Sequence, residues 1–263
     1  MRIRALQTGH AQVKAAFLHA RPGPRARLDL LLPGPWAEPI PIRQWLIEHD
    51  EHVILVDTGD VATASDLPFS RFLVAPEDEL PHQLARAGVD PGAITTTILT
   101  HLHGDHMNGA VHVPGPVLVG DRELRDATSA FGRFAQRITR TPVPAGVDFR
   151  PVALGDGPFG AFAASRRLTP DGRVLAVATP GHTAGHLAIL AIDDDGRHVL
   201  LAGDATDTLE QLHARRSDAV APRRSVQVAT IDRILRHGAE HPTVYLPTHD
   251  PASETRLAAG TTL

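Results

Sequence analysis

The chain of 263 residues contains no cysteine. Disulfides, thiolate nucleophiles and zinc–thiolate sites are thereby excluded together, and the composition suits a reducing compartment. No stretch approaches the ~18 apolar residues that a membrane-spanning helix needs. Residues 1–14 hold no continuous apolar segment of the kind a signal peptide carries, so the cytoplasm is the expected location and no membrane partner is expected. A broad basic field is missing too: the formal charge is -4, which argues against a nucleic-acid partner. There is no repeat at solenoid periods and no low-complexity tract. What remains is an ordinary globular composition, 42% hydrophobic and 21% charged, over a length able to bury a full core. One domain over residues 1–263 is expected.

Histidine is the unusual abundance, with sixteen copies, and its meaning depends on arrangement. Two short extended runs fill residues 43–56, and the second ends at Asp57-Thr58-Gly59-Asp60. Residues 77–88 read as a helix closed by Gly88, and residues 225–237 as another. Strands are expected at 94–100, 116–119, 173–178, 187–192, 198–202 and 243–246, with a helix starting near Asp121. Residues 22–41, dense in proline and glycine, and residues 128–146 read as loops or excursions. Four of the strands run directly into polar clusters: His101–His106, His182, Asp204 and His249. Loops at one edge of a sheet sandwich are where sites are usually built.

His101-Leu102-His103-Gly104-Asp105-His106 is the densest of these clusters. His101 and His103 stand at the alternation of an extended segment, so both can face one side. Gly104 would let the chain turn sharply and bring Asp105 and His106 round. Imidazole suits zinc and other first-row metals, and carboxylate suits zinc, manganese or iron. Burying Asp105 beside Asp204 requires positive charge between them.

These motifs resemble those of the metallo-β-lactamase superfamily. His101–His106 is similar to its H-x-H-x-D-H motif, Thr179-Pro180-Gly181-His182-Thr183-Ala184-Gly185-His186 to its T-P-G-H-T-x-G-H motif, and Gly203-Asp204 and Thr248-His249-Asp250 to its last two. Val56-Asp57-Thr58-Gly59 matches an early motif, so the resemblance covers nearly the whole chain in order and spacing. It implies an α/β fold, an αββα sandwich of two β-sheets flanked by helices. It also implies two divalent metal ions, zinc foremost, with manganese, cobalt or iron as variants. His101, His103 and His182 would hold one ion and Asp105, His106 and His249 the other, with Asp204 bridging them. His186 and Asp57 would stand behind the ligands.

Two such ions share a hydroxide and polarise a carbonyl, so hydrolysis is the implied reaction class. Asp105 and Asp204 are the candidate catalytic carboxylates, Asp105 by assisting proton transfer to the leaving group. Within the superfamily, residues 40–60, the lack of cysteine and Val-Tyr-Leu-Pro-Thr-His-Asp-Pro at 244–251 resemble the N-acyl homoserine lactonase branch. The implied substrate is a small ester or lactone, and a homodimer is compatible. Those lactonases carry a tyrosine three residues after the bridging aspartate. Here that place is Asp207, and Tyr245, the only tyrosine, is no assured substitute. Phe69, Phe72, Phe131 and Phe134, with Trp36, are candidate walls for an acyl chain; Arg133, Arg137 and Arg140 read as a solvated helix face. Alternatives on the same metals are a phosphotriesterase or aryl esterase, an iron-based redox role and a nuclease.

Overall fold

The computed structural model describes residues 1–18, 26–139 and 141–263. Residues 22–25 of the proline-rich segment and Arg140 lie outside them.

Alternation along two extended runs builds the middle of the first sheet. In β2 (Ile40–His49) and β3 (His52–Val56), Trp45, Ile47, Ile54 and Val56 face one way, and Leu46 and Leu55 the other. Around them stand β1 (Arg2–Val13), β4 (Ser70–Leu73), β5 (Thr96–Leu99), β6 (Val117–Gly120) and β7 (Phe149–Val152), in the order β4-β1-β2-β3-β5-β6-β7. The β3, β5, β6 and β7 pairings are parallel, and the rest of this sheet is antiparallel.

The second sheet has the order β12-β11-β10-β9-β8, from β8 (Ser165–Arg167), β9 (Val174–Ala178), β10 (Leu187–Ile192), β11 (His198–Gly203) and β12 (Thr243–Pro247). Strands β9, β10 and β11 are nearly continuous apolar runs because both faces of the sheet are covered there. Val174, Ala176, Leu187, Ile189, Leu201 and Leu246 meet Trp45, Ile54 and Ile98 of the first sheet in the central core. Their alternates, Leu175, Val177, Leu190, Leu200 and Tyr245, pack outward against α7 (Leu209–His213) and α8 (Arg224–Glu240) through Leu212, Ile231 and Ile234. On the opposite outer face, Leu46 and Leu55 receive Leu80 and Leu84 of α3 (Leu80–Arg86). Helix, sheet, sheet and helix thus form four layers, as the resemblance implied.

The remaining helices are α1 (Ala15–Leu18), α2 (Ala26–Leu31), α4 (Gly104–Met107), α5 (Asp121–Thr128), α6 (Ala130–Thr139) and α9 (Ser253–Ala259). Three expectations change. The helix expected over residues 77–88 is a 3-10 turn, Pro76–Asp78, followed by α3, with Pro81 in the first turn, where a missing N–H costs nothing. Residues 22–41 and 128–146, both read as loops or excursions, contain α2 and α6. Strand β1 had no signature of its own: its register with β2 shifts between Gln7 and His10, and a bulge of this kind breaks the alternation that marks a strand. Among the described residues no helix is long and apolar enough to cross a membrane.

Far from the strand-end clusters, His198 Nδ1 lies 2.8 Å from His237 Nε2, and His241 stacks on His198 at 4.6 Å between ring centroids. Burial, with His198 and His241 adding to it, lowers the His237 pKa from 6.5 to about 4. The unfolded chain therefore binds a proton that the folded chain refuses between these values, and stability falls as pH drops through that window. Urea unfolding from pH 7 to pH 4 should show this loss, and His237→Gln should flatten the pH dependence; an unchanged slope would remove His237 from the account.

Candidate metal centre

Strands β9, β11 and β12 of the second sheet and β3 and β5 of the first end at one edge of the sandwich, and the loops beyond them meet there. After β5 the chain leaves the sheet at Leu99, with His101 and His103 brought together beyond it. It runs as a loop and then makes the single turn α4, with His103 as its extended N-cap and Asp105 and His106 inside it. The chain turns at Gly104, the first residue of α4, but without a positive φ. The small size of Gly104 admits Asn108, whose Nδ2 would lie 2.8 Å from an added Cβ. At the end of β11, Gly203 has φ +53°, and an added Cβ would meet Thr100 at 2.8 Å and His186 Nε2 at 2.9 Å. Glycine there lets Asp204 approach the β5 loop.

Three groups of potential ligand atoms converge, each within 4.8 Å: His101, His103 and His182; Asp105, His106 and His249; and His101, His106 and Asp204. Asp204 lies between the first two. Its Oδ2 is 3.4 Å from both His182 Nε2 and His249 Nε2, and its Oδ1 is 3.3 Å from His106 Nε2. Asp105 Oδ2 is 3.4 Å from His249 Nε2.

Four imidazoles are anchored in one way, by Nδ1. His106 Nδ1 donates to Asp57 Oδ2 (2.9 Å), His182 Nδ1 to Asp218 Oδ2 (2.8 Å) and His249 Nδ1 to the Pro41 carbonyl (2.9 Å). His101 Nδ1 faces the Thr100 hydroxyl at 3.1 Å, and that hydroxyl donates to Asp57. A carboxylate or carbonyl can only accept, so the proton sits on Nδ1 and the Nε2 lone pair faces the centre. Asp57 also accepts from Thr100 N (2.7 Å) and holds a left-handed φ of 60°, strain of the kind found at sites.

The electrostatics demand cations. Burial opposes a charge on His106 and His249, yet Asp204 foremost raises both well above the usual histidine value. Burial and its histidine neighbours drive His101 the other way, well below it. Burial would raise Asp105, but His106 and His249 hold it down at about 2, and they hold Asp204 well below the carboxylate range. His101 Nε2, His106 Nε2 and Asp204 Oδ1 are buried without a hydrogen-bond partner. Unpaired buried nitrogen and oxygen donors, aimed at one another, fit divalent metal ions.

Other residues organise the shell. His186 Nε2 accepts from the Asp204 N–H (3.1 Å) and supplies no atom to the three groups, which suits its expected place behind the ligands. Glu123, unforeseen in the sequence, accepts from Leu102 N, Thr183 Oγ1 and Gly185 N, tying the β5 loop to the β9 loop. Asp218 was equally invisible: besides His182 it accepts from Gln227 Nε2 and two backbone amides. No motif surrounds either residue.

Above the centre opens a cavity of about 440 Å³. Phe69, Phe72, Phe131 and Asp207 line it, and so does Phe17, which stacks on Phe69 at 6.2 Å. Phe134 is not among its lining residues and is 61% exposed on α6. Trp36 is absent from the lining as well and carries Arg71 over its ring. Arg133 donates to the Thr128 carbonyl. Tyr245 is buried, bonded to Thr206 at 2.9 Å, and does not reach the cavity.

The sequence profile of the metallo-beta-lactamase superfamily matches residues 37–249, from just before β2 to His249. The chain belongs to that superfamily. An N-acyl homoserine lactonase from Bacillus sp. is 27% identical over 210 residues, covering 73% of this chain and 77% of the lactonase. A probable metallo-hydrolase of Mycobacterium tuberculosis is 30% identical over 171 residues, 61% of this chain; the match spans 55% of that protein's length. Among solved structures, an N-acyl homoserine lactone hydrolase with N-hexanoyl-L-homoserine bound at its catalytic metal center superposes with a TM-score of 0.76. It is 20% identical, with 96% of this chain and 94% of that one covered. The metallo-β-lactamase fold implies divalent ions, and the convergent groups are candidates to hold them.

If Asp218 sets the orientation of His182, Asp218→Asn should weaken metal retention by roughly 10- to 100-fold while far-UV circular dichroism stays unchanged. Competition against a chromophoric chelator measures this, and unaltered retention would count against the anchoring role.

Proposed function

We propose that the protein is a metal-dependent hydrolase that opens lactone rings, N-acyl homoserine lactones foremost, and so is a quorum-quenching enzyme. The observation that carries this reading is the placement of the convergent His/Asp groups at the floor of a largely apolar cavity, with three of their donor atoms buried and unpaired. The similarity to a Bacillus N-acyl homoserine lactonase supports the substrate class.

His101, His103 and His182 would hold one divalent ion and Asp105, His106 and His249 a second, with Asp204 shared; zinc suits this nitrogen-and-oxygen set. When bound, such ions lower the pKa of water and polarise a substrate carbonyl. The chain's own groups do the rest. Phe17, Phe69, Phe72 and Phe131 take the apolar part of the substrate and exclude water. Asp105, held ionised by His106 and His249, is placed to receive the proton of the attacking water as the new carbon–oxygen bond forms. As the ring carbon–oxygen bond breaks, the same proton passes to the leaving alkoxide, giving a hydroxy acid.

Protein loaded with zinc, manganese or cobalt should release acid from N-hexanoyl homoserine lactone in a pH-stat, and chelated protein should not. Metal-loaded protein inert to lactones but active on p-nitrophenyl esters or phosphotriesters would replace the substrate assignment while leaving the metal centre in place. Asp105→Asn should lower kcat by roughly 100-fold or more and metal content far less; equal losses of both would reduce Asp105 to a ligand.

A further inference from the structure

Asp207 lines the cavity beside the metal centre and is 2% exposed. Its Oδ2 is buried with no hydrogen-bond partner among the described residues. Gln211 spends its Oε1 on the Asp207 backbone N–H (2.6 Å), and burial, with Asp218 and Asp204 nearby, pushes the Asp207 carboxyl up to about 7, His249 and His182 offsetting only part of it. The backbone that carries it is held in place. Its loop is held at Asp207 N by Gln211, at Thr208 by the cap on α7, and at Leu209 N by Asp250 Oδ2 (2.9 Å). A buried carboxylate held rigid without a donor is costly unless something arrives to supply one.

An ester ring cannot supply it, because its oxygens only accept. We propose that Asp207 is a specificity-determining residue that accepts a hydrogen bond from an N–H on the substrate, adjoining the scissile carbonyl. Asp207 follows Asp204 by three residues on the loop after β11, so the donor belongs within a few bonds of the reacting carbon. An amide N–H or an ammonium on the carbon next to the lactone carbonyl meets that requirement. A plain lactone or simple ester leaves the carboxylate unpaired and is disfavoured. This inference rests on the lactonase reading and narrows its substrate class to α-amino and α-acylamino lactones.

The test changes one atom. Metal-loaded protein is assayed on N-hexanoyl homoserine lactone and on its N-methyl-amide analogue, which keeps the skeleton and loses the donor, with homoserine lactone separating the ammonium from the amide. In the wild type the N–H substrate should exceed the N-methyl one in kcat/KM by roughly 10- to 100-fold. Asp207→Leu should bring that ratio near one, and Asp207→Asn, whose amide oxygen still accepts, should retain part of it. Calorimetric binding of N-(2-oxocyclopentyl)hexanamide against its N-methyl form repeats the comparison without turnover, so a protein that opens no lactone still reports on Asp207. Equal affinity and rate within each wild-type pair, or a Leu variant that weakens both members alike, would overturn the proposal.

Discussion

One buried carboxylate organises the functional edge of this molecule. Asp204 stands between His182, His249 and His106, with its oxygens 3.3–3.4 Å from their Nε2 atoms. Around it lie Asp57, Asp105 and Asp218, each taking or facing an imidazole. In a medium of low polarity such a set of charges cannot persist unless compensated. Local features serve that compensation: Nδ1 anchored outward on four histidines, Nε2 of His101 and His106 left without a partner, glycine at 203 to permit the approach, and a left-handed Asp57 to hold His106.

The sandwich makes this concentration affordable. Its two sheets bury a continuous apolar interior, and only the loops past the strand ends leave that interior. Polar groups therefore gather where the backbone has already exhausted its ladder hydrogen bonds and where side chains can be aimed from both sheets. Glu123 contributes at a seam, since its carboxylate accepts from loops that belong to different sheets. Rigidity at the seam is what converts a collection of histidines into a fixed geometry.

Much of this was readable from the chain because two periodicities were clean. The covered sheet announced itself through Leu187–Ile192 and Val174–Ala178, and the candidate ligands were consecutive or motif-bound. What could not be read was whatever depended on long-range packing. β1 hid behind a register shift. Asp218 and Glu123 look like any surface acid until the fold buries them. Phe17 sat in a stretch without pattern, whereas Phe134, in a loosely patterned stretch, proves to be exposed on α6. Gly104 illustrates a subtler gap: glycine signals a special backbone angle or a close neighbour, and only the packing of Asn108 tells which.

The distribution of the centre along the chain bears on how the protein comes into being. Its groups are drawn from Asp57, the residues after β5, the loop after β9, the end of β11 and the residue two beyond β12, and the two sheets must dock before they meet. During synthesis, the segment through α6 carries His101, His103, Asp105 and His106 with nothing opposite them. Until the later strands arrive, that cluster offers only part of a coordination shell, and the groups converge in full only once His249 has been added.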